Sequence, residues 1–342
     1  MMTARVIAYS LAAIVLAGCQ TVRERLPWYR PGNPEGVIAS GSYCRPAIAA
    51  RDGELWIAAE GPAMKAVHLW HFDGQSYAAV TSVVASKTTA GRVYVADVEP
   101  GGVMSWRYGN KESGPWRGPG YWRGGKVTFP NLTEGAARLA TSDAGIILMS
   151  KGGEWINIDT GERGRYPAGL TGEKFDLAID GGTWATAHNG FSGEASRITI
   201  GGKGTTWASY AEYPDQGNDL NYPCTAIADG RAWAAAVYAG RLCVNSWDGK
   251  ALGWPCEALL DLGPATMQER CPPRLYALSG AVYAVWQHKG TIYRKRIPDG
   301  PQERLATGTM PAVAVDGERV FMAFIQNGNV TVKIIEGEQG ND

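Results

Sequence analysis

From Gly36 onward, apolar and polar positions alternate with a period of two in short runs, and each run stops at a tight turn. The pattern is clearest near the end of the chain. Residues 312–315, 319–325 and 330–335 are separated by Asp316-Gly317 and Asn327-Gly328. Alternation places successive side chains on opposite faces of a strand, and Asp-Gly or Asn-Gly between two such runs is a strong hairpin signal. The same order recurs over residues 226–247, with Asp229-Gly230 and Ala239-Gly240 as turns. It begins again at Leu177, with Asp180-Gly181 as the turn. No stretch sustains the 3.6-residue period of an amphipathic helix.

These hairpins belong to a longer repeat. Seven glycines anchor it: Gly53, Gly91, Gly145, Gly181, Gly230, Gly280 and Gly317. Three residues after the glycine stand Trp56, Tyr94, Trp184, Trp233 and Tyr283; Leu148 takes the slot in the third copy, and Phe321 comes one residue later in the last. Gly53 to Gly317 spans 264 residues in six steps, a mean period of 44. Strand alternation at that period is the signature of a β-propeller blade. The expected fold is therefore all-β, a propeller of seven blades over residues 36–342. Six blades is the alternative, because units two and three are the least regular. The last unit ends after a third strand near Glu336, and residues 36–42 precede the first unit. The N- and C-terminal segments are thus expected to share one blade and close the ring. Alanines in the first run of each unit suit the crowding near a propeller axis, with the aromatics wedged between blades.

Composition narrows the functional classes. Basic and acidic residues number 33 each, so the formal charge is zero and no electrostatic case for nucleic acid arises. No nucleophile elbow, phosphate-cradling glycine loop or redox cysteine pair is present, and no cofactor is expected. His68 and His71 are spaced His-x-x-His, but residues three apart on a strand face opposite ways, so no metal site is expected.

Residues 1–19 read as a targeting segment, with Arg5 ahead of the apolar run 6–17 and Leu16-Ala17-Gly18-Cys19 at its end. This end resembles the lipobox of bacterial lipoproteins. The resemblance implies lipidation at Cys19, anchoring to a membrane without crossing it, and, through Gln20 in place of aspartate, the outer membrane. Residues 20–35, with Pro27, Pro31 and Pro34, read as a tether. Export would leave Cys44, Cys224, Cys243, Cys256 and Cys271 in an oxidising compartment. The first expected disulfide is Cys256 with Cys271, and the second Cys224 with Cys243.

Residues 46–59 and 311–324 share a Pro-Ala-rich strand, a glycine and an aromatic strand. Gly204-Thr205-Thr206-Trp207 and Ser246-Trp247-Asp248 each keep half of a Ser-x-Asp-x-Gly-x-Thr-Trp box. Together these resemble the sialidase-like (BNR-repeat) propellers. That resemblance implies an arginine cluster for a substrate carboxylate, for which Arg45, Arg138 and Arg274 are the candidates, each near the start of a first strand. It also requires a Tyr–Glu nucleophile pair and an acid aspartate, and neither can be assigned. A second constellation lies at residues 104–125, where Trp106-Arg107, Trp116-Arg117 and Trp122-Arg123 alternate with Tyr108 and Tyr121. Flat aromatics stack on sugar rings, and Trp, Tyr and Arg dominate binding hot spots. Trp106, Trp116, Arg117, Tyr121, Trp122 and Arg123 are therefore the candidate ligand contacts, against the alternative that the tryptophans pack between blades. The sequence points to recognition of a glycan or an envelope protein at the periplasmic or surface face of a bacterial envelope. A sialidase-like glycosidase or lyase, or an assembly scaffold, is the alternative.

Overall fold

The computed structural model describes residues 32–84, 92–109, 119–132, 137–150, 152–166, 175–188, 196–202, 208–213, 223–238, 240–247, 260–266 and 273–336. Among them the chain forms seven antiparallel sheets of four strands, and the one helical turn is Pro62–Met64. Sheet one consists of Cys44–Arg51, Glu54–Glu60, Ala66–Phe72 and Tyr77–Val84. Sheet two consists of Arg92–Glu99, Val103–Gly109, Gly120–Arg123 and Lys126–Thr128. Sheets three to six start with Ala137–Ser142, Phe175–Asp180, Cys224–Ala228 and Arg274–Leu278, and each continues in chain order.

Sheet seven breaks that order. Thr309–Asp316, Arg319–Gln326 and Asn329–Glu336 pair in sequence, and the strand beside Asn329–Glu336 is Gly36–Ala39 from the other end of the chain. Its register sets Gly36 opposite Val332 and Val37 opposite Thr331. Among the described residues of the N-terminal segment, the Gly32 N–H meets the Gly74 carbonyl. The Tyr77 hydroxyl donates to the Pro34 carbonyl at 2.8 Å, and Glu35 accepts from the Ile334 N–H at 3.0 Å.

Period-two alternation has a double use here. In the second strand of sheet one, Leu55, Ile57 and Ala59 pack toward sheet seven, while Trp56 and Ala58 pack toward sheet two. In the second strand of sheet seven, Phe321, Ala323 and Ile325 face sheet one, and Val320, Met322 and Phe324 face sheet six. Both faces of each sheet are thus covered by neighbours. Among the described residues seven apolar clusters result: six join sheets that follow one another in the chain, from one with two to six with seven, and the seventh joins sheet seven to sheet one.

The aromatic slot supplies several of these wedges. Trp184 meets Trp155 edge-on at 5.4 Å between sheets three and four, and Tyr283 stacks on Tyr276 at 5.1 Å. Trp56 reaches the first turn of sheet two, where Gly102 has φ +71 and an added Cβ would lie 2.5 Å from the indole. Only glycine accepts both that backbone and that approach. Polar clasps repeat the linkage. Asp316 accepts the N–H groups of Asp52 and Gly53 at 3.0 and 2.8 Å, carrying sheet seven onto the turn of sheet one.

Two expectations need correction. The first turn of sheet two lies at residues 100–102, so Tyr94 falls on the first strand, and Trp106 takes the aromatic slot on the second strand. The consecutive Pro100-Gly101-Gly102 makes a tighter hairpin than Gly91 could nucleate, and the chain folds around it. Cys224 and Cys243 are separate thiols. The strand Arg231–Tyr238 runs between theirs, pairing with both. Two strand spacings, about 10 Å, exceed the reach of a disulfide. Cys256 and Cys271 lie outside the described residues, as do residues 203–207 and Cys19.

Candidate functional site

The first strands of all seven sheets line one cavity of about 510 Å³. Alanines make up much of its wall, including Ala47, Ala140, Ala178, Ala226, Ala312 and Ala314. Small side chains leave room where seven strands approach one another, so these alanines help keep the cavity open. Against this apolar wall stand a few polar groups: Asp97 and Glu99 from sheet two, Thr141 from sheet three, Asp176 from sheet four, Thr225 from sheet five and Arg274 from sheet six.

Asp176 is the most constrained of them. It accepts from Arg138 Nε at 3.1 Å on one side and from the Thr225 N–H at 2.8 Å on the other, so one carboxylate links sheets three, four and five. Arg274 donates through Nε to the Pro311 carbonyl at 3.4 Å, a long contact that leaves both terminal nitrogens of its fork without a partner among the described residues. Asp97 makes no ion pair with either arginine, although both guanidinium groups bear on it. Burial, only partly offset by Arg138 and Arg274, pushes its carboxyl up to about 6. Glu99 accepts a 2.5 Å hydrogen bond from the Thr141 hydroxyl. Burial, reinforced by the negative charge of Asp97, pushes Glu99 up to about 8 despite that bond. Both carboxyls still touch solvent within the cavity. At neutral pH one of these acids is neutral and the other ionised. Burial, reinforced by the negative charge of Asp176, also pushes up the Cys224 thiol on the cavity wall.

A groove of about 700 Å³ adjoins the cavity at the turn end of the sheets, sharing Pro100, Thr141 and Ile179 with it. Arg51, Arg123, Asp143, Asp159 and Asp180 line it. Arg123 is held over the groove by Asp159 at 2.5 Å. Asp159 is itself fixed by the Ile146 N–H at 2.8 Å, and Asn157 braces the turn by accepting the Asp159 and Thr160 N–H groups. The groove therefore presents charges of both signs on a rigid frame.

The sequence-derived candidates divide between these places. Arg274 lines the cavity, and Arg138 stands behind Asp176 at its edge. Arg45 is not part of the lining: it pairs at 2.7 Å with the fully buried Glu60, and its N–H points at the Met310 sulfur. Among the described residues no tyrosine lines the cavity. Trp106 and Trp122 are buried in the cluster between sheets one and two, Trp106 at 0 % exposure, and Tyr121 packs in the cluster between sheets two and three. Arg123 reaches the rim groove. Trp116 and Arg117 lie outside the described residues. His68 and His71 are engaged separately, His71 stacked on Trp56 at 3.7 Å and near Glu54, His68 against Trp70 and Tyr43. No group of three metal-ligating side chains occurs among the described residues.

Sequence reasoning missed Asp97, Glu99, Thr141 and Asp176. The available signal was an acidic residue interrupting an otherwise small and apolar first strand, as in Val-Ala-Asp-Val-Glu at 95–99 and Phe-Asp-Leu-Ala at 175–178. Only convergence of the first strands turns such isolated acids into a site.

No protein-family model matches the sequence, and no curated protein does. Solved structures do superpose on the chain. A chain of the mitotic checkpoint complex shares 12% identity, with 91% of this chain and 97% of that one covered, at a TM-score of 0.55. A phage phi92 endosialidase shares 9% identity over 92% of this chain and 70% of its own, at 0.53. The lectin of Aleuria aurantia, described as a six-bladed β-propeller with fucose recognition, superposes more loosely, at 0.47 and 11% identity over 89% and 95%. At such identities the likeness speaks to fold alone, an all-β chain of four-stranded antiparallel sheets.

Proposed function

We propose that the seven sheets are blades of one closed β-propeller, with Gly36–Ala39 completing the seventh, and that this propeller is a recognition module of a bacterial envelope. In this reading a lipid on Cys19 holds it to the outer membrane through the tether of residues 20–35. The partner is a glycan or an envelope protein bound at the turn end, where the rim groove meets the central cavity. The single observation that carries the reading is this continuity, a mixed-charge groove leading into an alanine-walled cavity with an unsatisfied guanidinium fork. Concave sites with apolar walls and a few fixed polar groups are the usual form of ligand sites. Arg123 belongs to the rim directly.

The test is capture on a glycan array and in envelope pull-downs, comparing the wild type with Arg123→Ala and Arg274→Gln. Loss of the captured partner in both variants, with thermal melting unchanged, supports the reading. Capture that neither variant weakens, or no capture at all, defeats it. A glycosidase is the second reading, favoured by the Asp97 and Glu99 carboxyls held at about 6 and about 8, a separation typical of acid and base partners. Its sialidase form needs three arginines in one pocket, and Arg45 is committed to Glu60 instead. Turnover of fluorogenic sialosides or uronides would establish it.

A further inference from the structure

The charges around the cavity restrict what can enter it. Inside stand the carboxyls of Asp97, Glu99 and Asp176, the Arg274 fork, and Arg138 behind Asp176. Two guanidinium groups face three carboxyls, and Asp176 already neutralises Arg138. What remains is Arg274 against Asp97 and Glu99. An anion placed here would meet two carboxyls for one cation. A cation would have to displace the balance between Arg274 and Asp97. The rim adds Arg51, Asp143 and Asp180, with Arg123 and Asp159 paired to each other, so no strong field of either sign guides a charged group inward. The alanine wall meanwhile offers contact to C–H groups, and the polar groups offer both donors and acceptors: the Arg274 nitrogens donate, Asp97 accepts, and Thr141 and Glu99 stand together at one side.

We propose that the central cavity binds an uncharged, hydroxyl-rich group, the terminal neutral sugar of a glycan chain whose remainder lies in the rim groove. The inference rests on the reading that this end of the molecule binds a ligand, and adds its chemical class. The cavity volume falls within the range of small-ligand sites, roughly 300–1,000 Å³. Binding is linked to the proton on Glu99. While that carboxyl is neutral it donates to a sugar oxygen and the cavity carries no net charge; once ionised beside Asp97 that donor is lost and the cavity holds a negative charge that Arg274 does not balance. Affinity therefore falls as pH rises through about 8.

Calorimetric titration of the full chain with maltotriose, an N-acetylglucosamine trimer, trigalacturonate and a glucosamine trimer, at pH 7 and pH 9.5, where Asp97 stays ionised and only Glu99 changes state, tests this. At least one neutral trimer should bind, about tenfold more tightly at pH 7 than at pH 9.5. Glu99→Gln, which keeps the shape and a donor, should retain the pH 7 affinity and abolish the pH dependence. Preference for trigalacturonate or for the glucosamine trimer overturns the proposal, as does a pH dependence that survives in Glu99→Gln. If no neutral trimer binds at millimolar concentration, the proposal fails while the recognition reading stands or falls separately on array and pull-down capture. Should Glu99→Gln misfold, Thr141→Val, which removes the hydroxyl donated to Glu99, provides the second variant: it should shift the midpoint of the pH dependence upward. An unmoved midpoint counts against the assignment to Glu99.

Discussion

Replacing Trp106 separates a packing role for the Trp-Arg stretch from a ligand-contacting one. The indole is completely buried among Ala47, Ala58, Leu69 and Val83 of sheet one and Met104 and Trp122 of its own sheet, with Phe129 edge-on at 6.3 Å. A tryptophan buries roughly 150–250 Å², worth about 4–6 kcal/mol of apolar transfer at 25 cal/mol per Å². Measured Trp→Ala losses in cores run about 3–5 kcal/mol, because the site relaxes in part. Trp106→Ala should therefore lose about 4 kcal/mol in guanidinium chloride unfolding followed by far-UV circular dichroism. Trp106→Phe should lose much less, about 1–2 kcal/mol, since the indole N–H is itself buried without a hydrogen-bond partner and its removal relieves that penalty. Ligand capture by molecules that remain folded should be unchanged in both. A Trp106→Ala protein with wild-type stability but no capture would refute the reasoning, because the ring would then be serving a ligand rather than the interface.

Other perturbations follow from the same contacts. Asp316→Ala removes the acceptor of two backbone N–H groups of sheet one and the Arg319 ion pair at 3.0 Å; it should lose about 2 kcal/mol in the same unfolding assay, and an unchanged midpoint would count against the clasp. Arg45→Met removes the 2.7 Å ion pair of the buried Glu60 carboxylate and should lose about 3–5 kcal/mol, more than Arg138→Met, whose partner Asp176 keeps the Thr225 N–H; the reverse ranking would contradict the placement. Glu99 has a folded-state carboxyl above its ordinary value, so its contribution to stability is complete below about 4.5 and is lost as pH rises through about 8. Glu99→Gln should thus match the wild type at pH 5 and exceed it at pH 9 by about 2 kcal/mol after screening by cavity water; equal melting at both pH values would show that the carboxyl is not raised.

The repeat was legible because its signals are local. Asp-Gly and Asn-Gly turns at 229–230, 316–317 and 327–328 stand where the sequence puts them, and so do the aromatics at 56, 184, 233, 283 and 321. Sheet two was misplaced by one strand because Gly91 and Pro100-Gly101-Gly102 offer competing turns, and hairpin geometry decides between them. The partner of Asn329–Glu336 was foreseeable from a missing fourth strand. The site was not legible. Arg138 and Arg274 carry no motif, and their relation to Asp97 exists only when strands far apart in the chain meet. The Trp-Arg stretch misleads in the opposite way: its residue types suit a binding surface, yet Val98, Met104 and the alanines of sheet one enclose two of its tryptophans. Residue type alone does not distinguish a wedge from a platform, whereas a neighbouring sheet does.

A cavity lined by all seven first strands requires sheet seven to be held against sheet one, and the N-terminal strand that completes the last sheet ties the two chain ends together. Native-state hydrogen exchange read by mass spectrometry on peptides covering 32–43 and 329–336 tests this directly. If Gly36–Ala39 is paired to Asn329–Glu336 as described, both segments exchange slowly and lose protection together in denaturant. Exchange of residues 36–39 at the rate of an unstructured peptide, beside a protected 329–336, would contradict it.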